Sequence, residues 1–126
     1  MHFNLFLVVV LLSLSCCKTK QSDMNICLES IENRIGADST LKKLMISSID
    51  SYEDFASIIN KAVTEETKTN SICKKALDQF LIENSEYSIT VNNLIFFQRL
   101  QSHLKHEKFD ISKARDIALK FEEKWK

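Results

Sequence analysis

The stretch that decides the fold is "VNNLIFFQRLQSHL", residues 91–104. Placed on a helix, it has one broad apolar face, made of Phe96, Phe97, Leu100 and Leu104 with Leu94 at its margin. Two further apolar residues, Val91 and Ile95, project from nearly the opposite side. A helix that is apolar on both sides is generally a central, buried helix. We therefore predict that this segment lies at the centre of a helical protein.

Val91 and Ile95 also allow a functional interpretation. If they stay exposed, they form an apolar docking patch for a partner protein, and they are then the candidate partner surface of this sequence. We favour burial, because a helix with apolar residues on two sides usually has neighbours on both.

The rest of the chain is also predicted to be helical. It contains no proline and one glycine, Gly36, and these two residue types most often interrupt helices. Gly36 is expected to cap the first helix, and Ser51–Asp54 resembles a capping box that opens the third. Apolar residues at helical spacing predict segments at about 23–35, 39–49, 52–66, 71–84, 90–106 and 111–125. The predicted fold class is all-α, a compact bundle of five to six short helices with mostly antiparallel neighbours.

The N-terminal residues 1–17 are predicted to be a signal peptide. Their apolar run, Leu5–Leu14, is too short to span a bilayer, which takes about 20 residues. Its length suits the hydrophobic region of a secretory signal. Small residues at Ser15 and Cys17 favour cleavage before Lys18, which leaves a single helical domain at 18–126.

A second cleavage position has to be weighed, before Cys16, with small residues at Ser13 and Ser15. Either Cys16 or Cys17 could also be the lipidated residue of a bacterial lipoprotein, but each matches only half of the required pattern. The segment Met1–Asn4 contains neither Lys nor Arg, which a bacterial signal would carry. We therefore favour eukaryotic-type secretion and expect an extracellular protein without a membrane span.

Cleavage before Lys18 leaves an even pair of cysteines, Cys27 and Cys73, in an oxidising compartment. Both lie on or beside the apolar stripe of their predicted helices. We predict a disulfide between them that ties the first predicted helix to the fourth. The alternative is a pair of unpaired, buried thiols.

The charges exclude one class of partner. The chain has 17 Lys and Arg against 17 Asp and Glu, and its densest basic clusters are only pairs, Lys42–Lys43 and Lys74–Lys75. Nucleic-acid binding requires a concentrated basic surface, so no nucleic-acid partner is expected.

Motifs that carry chemistry are few. His103 and His106 are three residues apart and Glu107 is four from the first, a spacing that can hold a metal but needs a further ligand from elsewhere. A Cys–His nucleophile would need Cys27 or Cys73 free and exposed. We expect no metal site, no cofactor and no enzymatic activity.

Three functions remain: a secreted protein that binds another protein, a secreted carrier of a small apolar ligand, and an extracytoplasmic lipoprotein. The carrier needs a cavity of several hundred Å³ lined by Phe and Leu. The leader "MHFNLFLVVVLLSLSCC", followed by a Lys-rich, proline-free helical chain of this size, resembles the small salivary effector proteins of sap-feeding insects such as aphids.

That resemblance lies in overall organisation, so no site residue is carried over from it. It implies delivery in saliva and action on host-plant proteins by binding instead of catalysis. Protein binding, with a partner from a host, is therefore the function that the sequence favours.

Overall fold

A computed structural model describes residues 22–36 and 48–124 of the chain. Its elements are α1 (Asp23–Ile35), α2 (Tyr52–Thr69), α3 (Ser71–Glu83), α4 (Ile89–Leu104) and α5 (Ile111–Glu123), with a 3₁₀ turn at Ile49–Ser51 before α2. Neither described range contains a strand, and the all-α prediction is confirmed. None of the helices in these ranges has the length and apolar content needed to cross a bilayer.

Two predictions fall on other parts of the chain. The signal peptide at 1–17, with both candidate cleavage positions, lies outside the described residues. So does all but the end of the second predicted helix, 39–49, whose last residue opens the 3₁₀ turn.

Side-chain caps explain where four of the five helices begin. Ser22, Asn70, Ser88 and Asp110 each accept a hydrogen bond from a backbone N–H two or three residues further on. These caps satisfy N–H groups that have no partner inside the helix. The sequence therefore fixes these starting points locally, before any tertiary contact is considered.

The start of the remaining helix, α2, differs from its prediction. Ser51 makes no side-chain cap to α2, so the predicted capping box is wrong. Ser51 already has helical backbone angles as the last residue of the 3₁₀ turn, and its hydroxyl donates back to the Ser48 carbonyl. Ser48 is the capping residue instead, because its Oγ accepts from the Asp50 N–H at 3.0 Å.

The helix α4 is the centre of the bundle, as its sequence predicts. It packs against α5 and against α1, and it contributes six residues to a hydrophobic core that includes residues from all five helices. Val91 and Ile95 are 1% and 0% exposed. The interpretation of these two residues as a partner surface is therefore wrong, because α4 has neighbours on both of its apolar sides.

Cys27 of α1 and Cys73 of α3 form a disulfide with their Cα atoms 4.4 Å apart, which confirms the predicted bridge. Both cysteines are fully buried. The bridge fixes α1, the first described helix, to the first turn of α3.

A polar cluster fixes the other end of α1 to α2. The Arg34 guanidinium bonds Glu66, donates to the Thr69 hydroxyl at 3.0 Å and lies 3.3 Å from a Glu65 carboxylate oxygen. Glu66 is only 7% exposed. A buried carboxylate is costly unless it is paired, so Arg34 is what allows Glu66 to lie in this interface.

Gly36 ends α1, as predicted, with φ −90° and ψ 13°. Any residue can adopt these angles, so ending the helix here does not require the conformational freedom of glycine.

Candidate functional site

A groove of about 320 Å³ lies between α2, α3 and α4, and we call it the interhelical groove. The rings of Phe80 and Phe96 form its base, where their centroids are 6.0 Å apart in an edge-to-face arrangement. Its other apolar lining residues are Val63, Leu77 and Leu81, and its polar lining residues are Asn60, Thr67, Lys74, Asp78, Asn92 and Asn93. An apolar base with a mostly uncharged polar rim suits an amphipathic segment of a protein.

Large apolar side chains are exposed on α3 and α4, two of the helices that form this groove. Leu81 lines it and is 52% exposed, while Ile82 and Ile89, on either side of the α3–α4 connection, are 67% and 81% exposed. Ile89 lies four residues before Asn93 and seven before Phe96, so it shares their face of α4. We call Leu81, Ile82 and Ile89 the apolar end of the groove.

The α3–α4 connection, which Ile82 and Ile89 flank, is firmly held. Asn92 is buried, and its Nδ2 donates to the carbonyls of Asn84, Tyr87 and Ser88 at 3.1–3.2 Å. Asn84 is also buried, and its Oδ1 accepts two hydrogen bonds from Arg115 of α5. Ile82 and Ile89 are therefore presented at fixed positions, which lowers the entropy cost of binding at this surface.

The rim of the groove is connected to the core through Asn93, which hydrogen-bonds the Tyr52 hydroxyl. Burial raises the pKa of the Tyr52 hydroxyl above its ordinary value of 10.0, and this hydrogen bond offsets part of the rise. The Tyr52 ring packs on Phe97 with centroids 5.4 Å apart. The rim and the central helix are thus parts of one packed unit.

The residues that could bind a metal or act as a nucleophile do not line the groove. His103 Nε2 is 3.6 Å from a Glu32 carboxylate oxygen, and His106 is exposed just beyond the end of α4. Within residues 22–36 and 48–124, His, Cys, Asp and Glu side chains form no group of three or more that could hold a metal. Cys27 and Cys73 are bonded to each other, so neither is a free nucleophile.

Sequence reasoning offered Val91 and Ile95 as the candidate partner surface while favouring their burial. Both are buried, and the apolar end of the groove was missed. One signal for it was present. Ile82 does not continue the stripe of Cys73, Ala76 and Phe80, the residues that α3 buries. Ile89 likewise begins α4 at a position outside that helix's buried set.

The chain was compared with protein-family models, with curated proteins and with solved structures, and no match was found in any of the three.

Proposed function

We propose that this chain is a secreted, extracellular helical protein that acts by binding another protein. Its organisation resembles that of salivary effectors of sap-feeding insects, and on this proposal its partner is a host protein. The interhelical groove, with its apolar end, is the binding surface.

The observation that carries the proposal is the exposure of Leu81, which lines the groove, together with that of Ile82 and Ile89 on the same two helices. Ile82 and Ile89 are 67% and 81% exposed and flank a connection held by buried asparagines, so they leave apolar area in water next to firmly held backbone. Covering such area on binding is favourable by about 25 cal/mol per Å² before the costs of association are counted. The occupant that fits is an amphipathic helix of the partner, with its apolar side on Phe96 and Leu81 and its polar edge on the amide rim.

Secretion is supported by two independent features. The N-terminal residues 1–17 have the pattern of a signal peptide, and a disulfide between two helices is typical of proteins that fold in an oxidising compartment. Binding instead of catalysis is favoured because the bridge occupies the two thiols that a Cys–His mechanism would have needed.

Secretion is tested by expressing the full chain in eukaryotic cells and sequencing the N-terminus of the product in the medium. We expect it to begin at Lys18. A product that begins at Cys16 would show the other cleavage, and a diacylated Cys16 or Cys17 would show a lipoprotein. Retention of the uncut chain in the cells would contradict secretion.

Protein binding is tested by affinity capture from host-plant extract with the secreted product, in wild-type form and with Ile89→Asp. The matched control is Ile72→Asp, since Ile72 is also an exposed isoleucine, 41% exposed, at the opposite end of α3 from the groove's apolar end. We expect a specific partner that wild type and Ile72→Asp retain and that Ile89→Asp loses. A partner retained equally by all three would place the binding surface elsewhere, and no saturable partner would contradict the proposal.

A further inference from the structure

A second and larger concavity lies on another side of α3, where α1, α3, α4, α5 and the segment before α5 meet. It has a volume of about 490 Å³, within the range of small-molecule sites. Its apolar walls come from Met24, Ala76, Phe80, Phe109 and Ile111, and two arginines, Arg99 and Arg115, also line it. We call it the arginine cleft.

Arg99 is a partly buried cation whose neighbours are an aromatic ring and a neutral amide. Its guanidinium carbon lies 4.7 Å from the centroid of the Phe109 ring, and its Nη2 donates to Asn25 Oδ1 across 3.4 Å. Among the described residues it has no carboxylate partner. Burial lowers the pKa of the Arg99 guanidinium below its ordinary value, but an arginine stays protonated in proteins.

Arg115 is in a similar situation. It donates through Nε and Nη2 to Asn84 Oδ1, at 3.2 and 2.9 Å, and its guanidinium lies over the Tyr87 ring at 5.6 Å. Its hydrogen-bond partner is again an uncharged amide, and no ion pair forms to it in the described part of the chain. Both arginines are thus oriented by neutral groups and aromatic faces, and no described carboxylate lies within ion-pair distance of either.

The two acidic residues that line the cleft have partners other than the arginines. Asp23 lies 3.8 Å from the ammonium of Lys75, and Glu83 accepts a hydrogen bond from Gln79 at 3.1 Å. Asp23 and Lys75 balance one another, so two arginines face one further carboxylate, Glu83, and the cleft has a net positive charge. Its charge and its apolar walls together define the ligand that suits it.

We propose that the arginine cleft binds a small organic acid with one carboxylate and an apolar body. The carboxylate accepts charge-assisted hydrogen bonds from Arg99 and Arg115, which are stronger than those to neutral acceptors. The apolar body covers Met24, Phe80 and Phe109. A fatty acid and an aromatic acid share this chemistry, and the test separates them. This site lies apart from the apolar end of the interhelical groove and does not depend on the protein-binding proposal.

The test is calorimetric titration of the secreted product with decanoate, 4-phenylbutyrate and 1-decanol. We expect both acids, or one of them, to bind at one site and decanol to bind about tenfold more weakly or not at all, because it lacks the charge. Tighter binding of decanoate identifies an alkyl ligand, and tighter binding of phenylbutyrate an aromatic one. Binding of decanol as tight as that of decanoate would overturn the proposal, as would the failure of both acids to bind.

The residues are tested with Arg99→Met and with Lys120→Met as the matched control, since Lys120 is an exposed cation of α5 that does not line the cleft. We expect Arg99→Met to bind the preferred acid at least about tenfold more weakly and Lys120→Met to bind it like wild type. Equal affinities in the two variants would overturn the proposal.

A measurement on the unaltered protein covers the case in which Arg99→Met does not fold. A photoreactive decanoate that carries a diazirine at its alkyl end is cross-linked to wild type and the labelled peptides are identified. Labels on peptides that contain Met24 or Phe109, competed by free decanoate, are the expected result. Labels confined to peptides of the interhelical groove would overturn the assignment.

Discussion

Phe97 is the single residue on which the packing of the central helix depends most. Its ring is fully buried, and it is the largest of the fully buried side chains. We expect Phe97→Ala to lower the free energy of unfolding by about 3–5 kcal/mol, through lost burial and the cavity left behind. The measurement is chemical denaturation at neutral pH.

The control for this substitution is Leu119→Ala, because Leu119 is an apolar residue of α5 that is 40% exposed. Its truncation is expected to change stability by about 0.5 kcal/mol or less. Equal losses for the two variants would mean that the Phe97 site collapses around the smaller side chain.

Tyr52 makes stability depend on pH in the alkaline range. Its pKa is raised in the folded protein above the ordinary value of 10.0, so above that pH the unfolded chain loses this proton before the folded one does. The folded state then binds more protons than the unfolded state, and stability falls as pH rises from 10 towards the folded pKa. Tyr52→Phe removes this dependence and also the hydrogen bond to Asn93.

For this residue we therefore compare how the unfolding free energies of wild type and Tyr52→Phe vary with pH. Near pH 8, Tyr52→Phe is expected to be less stable than wild type by about 1 kcal/mol, for the lost hydrogen bond. Above pH 10 the two unfolding free energies should converge, measured by urea denaturation at a series of pH values. Curves that stay parallel up to pH 11 would contradict a raised pKa.

Residue by residue, the sequence predicts burial well and exposure poorly. Phe97, Leu100 and Val91 lie at helical spacing, and their burial follows from the pattern because the apolar faces of a helix need neighbours. Ile82 and Ile89 are exposed because no other described helix covers the α3–α4 connection. Whether a residue is covered in this way depends on how the described helices are arranged in space. Hydrophobic periodicity carries no information about that arrangement.

At the scale of the element, the end of α4 contains an unusual backbone conformation. His106 has φ 57°, a left-handed angle that favours glycine. The Glu107 N–H donates to the Ser102 carbonyl and the His106 N–H to the His103 carbonyl, the pair of hydrogen bonds of a Schellman motif. The histidine that the sequence suggested as a metal ligand is thus part of a helix cap.

We expect His106→Gly to stabilise the protein by about 1 kcal/mol, because glycine adopts the left-handed conformation without the steric cost that a Cβ brings. The control is Lys105→Gly, one residue earlier, where φ is −85°. There glycine gives no steric relief and adds entropy to the unfolded chain, so the variant should lose about 0.5–1 kcal/mol. Destabilisation by both substitutions, in thermal and urea denaturation, would contradict the strain at His106.

Most helix boundaries could be predicted because capping is local. Asn70, Ser88 and Asp110 stand directly before apolar periodic segments, and each of them caps the helix that follows. Ser51 fails because the residues before it form a 3₁₀ turn, and a residue inside a turn cannot also have the extended backbone of a cap. A capping-box sequence gives no information about the conformation of the residues before it.

At the scale of the whole molecule, the sequence predicts the bundle and its covalent link but neither concavity. An even pair of cysteines on apolar stripes was enough to predict the Cys27–Cys73 bridge, because pairing and inward orientation are both local signals. The groove and the arginine cleft arise where helices diverge. Their linings come from three or more separate segments, and Phe80 alone contributes to both.

The bridge leads to a prediction about the whole molecule. It connects residues 46 apart in sequence, and the loop-closure model gives a stabilisation of about 4 kcal/mol for such a loop. Without it, α1 is held by its buried apolar residues, by the Arg34 cluster and by a few longer polar contacts to α3 and α4. We expect the double variant Cys27→Ser, Cys73→Ser to melt at a markedly lower temperature than wild type, and to bind its partner and the organic acid unchanged well below that melt.

Neither cysteine lines the groove or the cleft, so the bridge is expected to affect binding only through stability. Measuring both affinity and stability in the double variant tests this. Lost affinity in a variant that is still fully folded at the assay temperature would mean that the bridge positions a binding surface. The bond itself is tested by thiol labelling of the secreted product under denaturing, non-reducing conditions, followed by peptide mapping. Peptides that contain Cys27 and Cys73 should carry no label until a reductant is added, and labelling of both before reduction would show that the native protein keeps them as thiols.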